Sequence, residues 1–384
     1  MAGPDWPSFD CFQLHDHVPE FVYKEIDNML RPVEGFSHPT FCVLPFYAME
    51  YPDKNPCCLM SGVESVKEIQ QQMLLQQRPE SCKKCWRLED AGLKSDRLIK
   101  NETLDHFSNI DLEQLITQSR LGKNEIIHYK IDTSNTCNAA CVTCGGESSN
   151  TWNKLLQKNN LPAKKNWKIL PEQTLDWIDY SSAESLSFRG GEPFLSDTNF
   201  YILEQLIEHH NTDCFVSFVT NGSFSLNARQ KEILAKFKNL NFCFSIDSIG
   251  PVFEYLRWPL KWTDIENNIA WCQANNVKVS VSYTLSNINL LYHTRTIEWF
   301  AQHKINYLVN PVYFPVHFRP ESLSAEIKQQ LKQRLNNNDI SQWLTHCSDD
   351  DQLFAKFQIE IAKQDRMKNI SMRDYLPELA ELLK

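Results

Sequence analysis

Three cysteines with short, uneven spacing are the residues of this sequence best suited to chemistry. They occur as Cys137-Asn-Ala-Ala-Cys141-Val-Thr-Cys144, directly after the strand-like run Ile126–Ile131. Three thiolates spaced in this way on one loop can reach three corners of a cubane iron–sulfur cluster, which leaves the fourth iron without a protein ligand. An iron with an open coordination position is a place to bind a substrate or a cofactor. A zinc site is the alternative, but it requires a fourth Cys or His ligand, and His128 lies in the preceding strand.

A second group of cysteines lies earlier in the chain. The pair Cys82-Lys-Lys-Cys85 is preceded by Cys42 and by the adjacent residues Cys57 and Cys58. By itself the spacing of Cys82 and Cys85 fits a zinc site, a redox pair or no site at all. The other three thiols are candidate partners from earlier in the chain. Four thiolates suit an iron–sulfur cluster and a structural zinc ion alike, so both kinds of site stay open.

The composition predicts a globular protein of the cytoplasm. The chain has 384 residues, 42% of them hydrophobic, and a formal net charge of −9. It begins without a basic segment followed by an apolar core, and no apolar run is long enough to span a bilayer, so neither a signal peptide nor a membrane anchor is expected. The 13 cysteines are therefore expected to be reduced thiols. The acidic balance disfavours nucleic acid as a partner.

The elements that must position these cysteines alternate between strand and helix from about residue 125 onward. Six strand-like runs are separated by helical patterns: Ile126–Ile131, Ser185–Phe188, Phe215–Val219, Phe242–Ile246, Val277–Tyr283 and Tyr307–Val312. Such alternation predicts a parallel α/β sheet whose functional loops follow the strands, and six units indicate a partial (β/α)6 barrel related to the TIM barrel. We predict four regions: an N-terminal extension (1–37), a small cysteine-rich module (38–120), the barrel (121–320) and a helical C-terminal region (321–384).

A glycine pair follows the second of these strands, in the run Arg189-Gly190-Gly191-Glu192-Pro193. Two glycines permit close approach of the backbone to another group, and a carboxylate at the carboxyl end of a parallel strand faces the ligand site. A simple turn between strand and helix is the alternative. Polar residues also follow the next two strands, where they could equally cap the helices that come after them.

The cysteine loop and the glycine pair together resemble the radical S-adenosylmethionine (radical SAM) superfamily. Its members carry CxxxCxxC after the first strand of a partial barrel and a GGE motif after the second. The resemblance implies a [4Fe–4S] cluster on Cys137, Cys141 and Cys144. It also implies that the amino group of S-adenosylmethionine is held at Gly190, Gly191, Glu192 and Pro193. The ribose would then lie near Thr220, Asn221, Ser245 and Asp247, and the carboxylate would pair with Arg257. A surface arginine is the alternative for Arg257.

The earlier cysteines resemble the twitch type of this superfamily, in which a half-sized relative of the SPASM domain holds one auxiliary [4Fe–4S] cluster. The resemblance implies that Cys42, Cys58, Cys82 and Cys85 hold the auxiliary cluster, with Cys57 as the alternative to Cys58 and a structural zinc ion as the alternative to the cluster. It implies two clusters in all and a radical enzyme that reductively cleaves S-adenosylmethionine and abstracts a hydrogen atom from its substrate. It further implies an electron donor such as a flavodoxin or ferredoxin. A ribosomally made peptide is the expected substrate, modified by cross-linking, epimerisation or related C–H chemistry. Modification of a small molecule or RNA, or a non-enzymatic metal-binding scaffold, are the alternatives.

One further cysteine, Cys347, lies in the helical C-terminal region within the run Thr-His-Cys-Ser-Asp-Asp-Asp. An enzyme that inverts an α-carbon must return a hydrogen atom to it, and a thiol is a suitable donor because its S–H bond is weak. The neighbouring aspartates would keep this thiol protonated. We therefore consider Cys347 a candidate catalytic hydrogen-atom donor, with a simple packing role as the alternative.

Overall fold

The architecture is an α/β fold built on one parallel sheet. The computed structural model describes residues 39–51, 55–57, 60, 64–90, 95–103, 111–163, 175, 177–312, 314–335, 340, 341, 344 and 350–383. Within these residues the sheet has seven strands in sequential order, each parallel to its neighbours. The strands are β1 (Ala48–Tyr51), β2 (His128–Asp132), β3 (Ser185–Arg189), β4 (Phe215–Thr220), β5 (Leu240–Ser245), β6 (Lys278–Leu285) and β7 (Asn306–Pro311).

Helices precede, separate and follow the strands. Those before β2 are α1 (Leu44–Tyr47), α2 (Val66–Leu74), α3 (Lys83–Asp90), α4 (Asp96–Thr103) and α5 (Leu112–Arg120). Those between the later strands are α6 (Asn150–Lys158), α7 (Asp197–Glu208), α8 (Ala228–Leu234), α9 (Gly250–Leu256), α10 (Trp262–Ala274) and α11 (His293–Gln302). The C-terminal region contains α12 (Ala325–Arg334), α13 (Asp351–Lys368), α14 (Met372–Tyr375) and α15 (Pro377–Leu382). The predicted α/β fold and its helical C-terminal region are confirmed.

Burial alternates along the strands, which gives the sheet two different faces. In β3, for example, Leu186 and Phe188 are fully buried, whereas Ser185, Ser187 and Arg189 are partly exposed. The apolar face packs against the helices, because side chains of a strand point alternately to opposite sides. Polar side chains from β2 to β5 line a common cavity on the other face, so that face is concave. Parallel sheets are more often apolar on both faces. Here the polar side chains face a cavity and not a packed layer, which leaves room for ligands.

The six predicted strands correspond to β2–β7, but β1 is missing from the sequence-based prediction. Its four residues follow α1 without a break, and so short a segment shows no periodicity of its own. Strand β1 pairs in parallel with β2, from Ala48 opposite His128 to Tyr51 opposite Ile131. The segment that carries the earlier cysteines is thereby attached to the edge of the barrel sheet. None of the helices in the described ranges combines the length and apolar character that crossing a membrane would require.

Candidate functional site

The three cysteines of the predicted cluster loop border one cavity of about 720 Å³ at the carboxyl ends of the strands. Their loop connects β2 to α6, and the first turn of α6 holds it. Asn150 Oδ1 accepts a hydrogen bond from the backbone N–H of Cys137 (3.0 Å), and Thr151 Oγ1 donates to the carbonyl oxygen of the same residue (2.6 Å). Trp152 Nε1 donates to the carbonyl oxygen of Cys141 (2.9 Å). The short helix after the motif therefore fixes the loop.

The opposite side of the loop is held by distant segments of the chain. The backbone N–H groups of Ala140 and Val142 donate to the carbonyl oxygens of Trp258 (2.7 Å) and Leu256 (2.8 Å), at the end of α9. Gln364 of α13 donates from Nε2 to the carbonyl oxygen of Val142 (3.1 Å). The backbone between the cysteines is thus satisfied from both sides, as buried polar groups require. This bonding holds the curved path of the loop around the cavity.

Burial disfavours the thiolate form of these cysteines, whereas two nearby hydrogen-bond donors favour it. Burial, reinforced by the neighbouring thiol of Cys141, raises the pKa of Cys137 to about 12, and it raises the pKa of Cys144 to about 11. Metal ligation requires thiolates, so loading would release protons. Two donors already point at the sulfurs, because Asn221 Nδ2 lies 3.9 Å from Cys137 Sγ and Arg257 Nη1 lies 3.9 Å from Cys141 Sγ. These donors would stabilise sulfur in its anionic form.

The spacing of the side chains differs from that of a single-ion site. Within the part of the chain that the structure describes, no three Cys, His, Asp or Glu side chains converge on one metal position. The ligands of a four-iron cluster each bind a different iron, so they stand around a larger volume than the ligands of one ion. Cys137, Cys141 and Cys144 border a shared cavity without converging on one metal position.

The glycine pair makes its closest contact with the cysteine loop itself. The N–H of Gly191 donates to the carbonyl oxygen of Ser134 (3.0 Å), and the N–H of Glu192 donates to that of Thr136 (2.8 Å). Gly190 has φ +100°, and a Cβ there would lie 2.6 Å from the carbonyl oxygen of Ser134. A Cβ on Gly191 would collide with the carbonyl group of Thr136. Glycine is therefore required at both positions because the two loops pack backbone to backbone, although both residues also line the cavity.

Glu192 is buried behind the cavity wall, with 1% of its surface exposed. Its carboxylate accepts hydrogen bonds from Thr220 Oγ1 (2.7 Å), the N–H of Asn221 (2.7 Å) and the N–H of Phe194 (3.3 Å). Burial raises the pKa of this carboxyl group to about 7, and these hydrogen bonds oppose the rise. The structure therefore shows Glu192 joining the end of β4 to the glycine loop. Its predicted contact with the cofactor amine stays a prediction.

The remaining predicted residues divide between the cavity wall and its support. Asn221, Ser245 and Arg257 line the cavity. Asp247 stands behind Arg257, with its Oδ1 2.8 Å from Arg257 Nη2. Thr220 supports Glu192, and the buried Pro193 begins a short 3-10 turn, Pro193–Leu195. The arginine thus already has one carboxylate partner, and its predicted pairing with a cofactor carboxylate would be additional.

Sequence reasoning missed the contribution of the C-terminal region to this cavity. Glu360, Lys363, Gln364 and Met367 of α13 line it. The four α13 residues share one face of the helix at the spacing i, i+3, i+4, i+7. That mixed polar face is the signal that could have been found in the sequence. Cys347, the candidate hydrogen-atom donor, lies outside the described residues.

The earlier cysteines also come together. Cys42, Cys57, Cys82 and Cys85 line one small cavity beneath α1 and α3. Burial, with the neighbouring thiol of Cys85, raises the pKa of Cys82 to about 12. Cys58 lies outside the described residues, so the choice between it and Cys57 stays open.

An ion pair braces this second group. Arg97 Nη2 lies 2.6 Å from Glu89 Oε2, and Arg97 Nη1 donates to the carbonyl oxygen of Phe41 (2.6 Å), the residue before Cys42. The guanidinium of Arg97 also stacks over the ring of Trp86, 4.8 Å from its centroid. These contacts connect the segment of Cys42 to that of Cys85.

Similarity to known proteins is found among solved structures. The sequence matches no protein-family model and no curated protein. It is similar to the solved structure of native anSMEcpe with bound AdoMet, at 17% identity over 54% of this chain and 60% of that chain, with a TM-score of 0.39. It is also similar to Streptococcus suis SuiB bound to S-adenosylmethionine, at 14% identity over 69% of this chain and 61% of that chain, with a TM-score of 0.40. Each match spans less than two thirds of the solved chain.

Proposed function

We propose that this protein is a radical SAM enzyme. The observation that carries the proposal is that Cys137, Cys141 and Cys144 border the same cavity as the glycine pair and Arg257. Three thiols would ligate a [4Fe–4S] cluster and leave one iron open toward the cavity. The volume of about 720 Å³ is within the range of sites that bind small molecules and cofactors.

The side chains around the cavity fit S-adenosylmethionine as the second cofactor. Arg257 offers a positive charge for its carboxylate, while Asn221 and Ser245 offer polar groups for its ribose. Bound together, the cluster and S-adenosylmethionine would supply a 5′-deoxyadenosyl radical, which abstracts a hydrogen atom from the substrate. The protein would contribute the positions of these groups and the exclusion of competing hydrogen donors. An electron carrier such as a flavodoxin or ferredoxin would reduce the cluster.

The second cysteine group would hold an auxiliary [4Fe–4S] cluster. Its ligands would be Cys42, Cys82, Cys85 and one of the adjacent pair Cys57 and Cys58. Support comes from the four described thiols around one small cavity and from the Arg97–Glu89 pair that braces two of the ligand segments. Such a cluster would accept an electron after hydrogen abstraction or ligate the substrate.

A ribosomally made peptide is the substrate that we propose. Phe314, with 65% of its surface exposed, and the ion pair between Lys363 and Glu360 stand at the cavity. An exposed aromatic ring beside charges of both signs suits a chain that presents apolar and charged side chains in turn. The modification would be a cross-link, an epimerisation or a related change at a C–H bond.

Anaerobic reconstitution tests the cofactor assignment. The wild-type protein should bind about eight iron and eight sulfide, as expected for two cubanes, and should cleave S-adenosylmethionine when reduced. Replacing Cys137, Cys141 and Cys144 together by Ala should remove about half of the iron and all of the cleavage.

Cys272→Ala is the matched control, because Cys272 is buried in the main core and should affect neither measurement. Zinc in place of the second cluster would refute the auxiliary site while leaving the first intact. Full iron content without any cleavage would refute the enzymatic function.

A further inference from the structure

Lys368, the last residue of α13, carries a charge in the interior of the protein. Only 4% of its surface is exposed. Its Nζ donates to Gln364 Oε1 (2.9 Å) and lies 4.7 Å from the centroid of the Trp152 ring. Among the described residues, no carboxylate forms an ion pair with it. Buried lysines without a partner are rare because desolvation of an ammonium group is costly.

The two side chains that contact Lys368 both hold the cysteine loop. Trp152 Nε1 donates to the carbonyl oxygen of Cys141, and Gln364 Nε2 donates to that of Val142. The ammonium group is therefore separated from the loop by single side chains on two sides. Burial lowers the pKa of Lys368 to about 8. The charge that Cys141 would carry as a thiolate opposes this lowering most strongly, followed by the carboxylates of Asp365 and Glu360.

The other buried cation at the loop is balanced in a different way. Arg257 Nη1 lies 3.9 Å from Cys141 Sγ, and its Nη2 pairs with Asp247 at 2.8 Å, so that pair is neutral overall. Among the described residues, Lys368 contacts the amide of Gln364 and the ring of Trp152, and the carboxylates of Asp365 and Glu360 act on it by charge without forming an ion pair. An anion is needed to offset its desolvation, and the adjacent loop is where three thiolates would give a cluster net negative charge.

We propose that Lys368 is the counter-ion of the cluster on Cys137, Cys141 and Cys144. This proposal rests on the proposed function. Lys368 is a positioning residue that acts through its charge, since it lines neither the substrate cavity nor the ligand set. Reduction adds negative charge to the cluster, and a nearby buried cation favours the reduced form. Lys368 therefore makes the cluster easier to reduce.

The test compares three variants by EPR-monitored redox titration of the reconstituted protein. Lys368→Met removes the charge at similar volume, and Lys368→Arg keeps it. Lys356→Met removes an exposed lysine from the same helix and is the matched control. At a fixed potential, Lys368→Met should lower the ratio of reduced to oxidised cluster by at least about tenfold, equivalent to about 59 mV for a one-electron couple. Lys368→Arg and Lys356→Met should stay close to wild type.

Denaturant unfolding of the cluster-free protein gives a second measurement. There the lysine lacks its anion, so Lys368→Met should be at least as stable as wild type, whereas after loading the wild type should be the more stable. Equal loss of stability in both states would assign Lys368 a packing role and overturn the proposal, as would an unchanged ratio of reduced to oxidised cluster. A wild-type protein that binds no cluster would overturn the proposed function and this proposal together.

Discussion

Replacement of Glu192 by Gln gives a quantitative test of the site, because this carboxyl group is buried among hydrogen-bond donors. Its oxygens accept from Thr220, Asn221 and Phe194, and only 1% of the residue is exposed. Burial raises its pKa from 4.5 to about 7. The folded protein therefore favours the neutral form over a pH range in which the unfolded chain is already ionised.

The size and sign of the effect follow from this difference. A group with a raised pKa in the folded state contributes stability below its unfolded pKa, and this contribution is lost as the pH rises through the folded pKa. A difference of about 2.5 pKa units corresponds to about 3 kcal/mol. Most of that loss, about 2.5 kcal/mol, falls between about pH 5 and about pH 8. Wild-type protein should become less stable over this interval by that amount more than Glu192→Gln.

Denaturant unfolding of the cluster-free protein at the two pH values measures the difference. Glu204→Gln is the control, because Glu204 pairs with Arg229 at the surface. The amide introduced by Glu192→Gln also loses a hydrogen bond, but that cost is the same at both pH values and cancels. Identical pH dependence in wild type and Glu192→Gln would refute the argument. If Glu192 also contacts the cofactor amine, the same variant should weaken S-adenosylmethionine binding by about 1–3 kcal/mol in a calorimetric titration.

Three further predictions concern the two cysteine groups and the reaction. Gly191→Ala should push away the carbonyl group of Thr136, so it should lower the free energy of unfolding by about 1–3 kcal/mol and reduce iron uptake. Normal iron content would contradict the argument that the cysteine loop depends on the close approach of Gly191 to Thr136. Arg97→Met leaves Glu89 buried without its cation, so it should cost about 3–5 kcal/mol and about half of the iron, and adding Glu89→Gln should restore part of both. If the reaction is an epimerisation in deuterated water, Cys347→Ala should abolish deuterium incorporation, measured by mass spectrometry, while S-adenosylmethionine cleavage continues; retained incorporation would exclude the donor role.

The sequence by itself determined that β2–β7 form a parallel α/β sheet, and it singled out the loop that carries three closely spaced cysteines. Strands β2–β7 could be predicted because each is a run of strand length between helical patterns, and the connections of a parallel sheet then follow general rules. The spacing of Cys137, Cys141 and Cys144 singled out one loop, since ligand spacing along the chain is a local property. The close spacing of Cys82 and Cys85 along the chain is local for the same reason.

Only the tertiary structure decided which distant groups surround that loop. Strand β1 is too short to have a pattern of its own and exists because β2 offers it a free edge. Glycine is required at positions 190 and 191 because they contact the backbone of Ser134 and Thr136. Those two residues belong to a loop more than fifty residues earlier in the chain. From the sequence alone, a lysine at the end of a helix is expected at the surface. Lys368 is instead buried, because α13 packs against Trp152. Desolvation and backbone packing depend on what lies opposite in space, which local sequence does not encode.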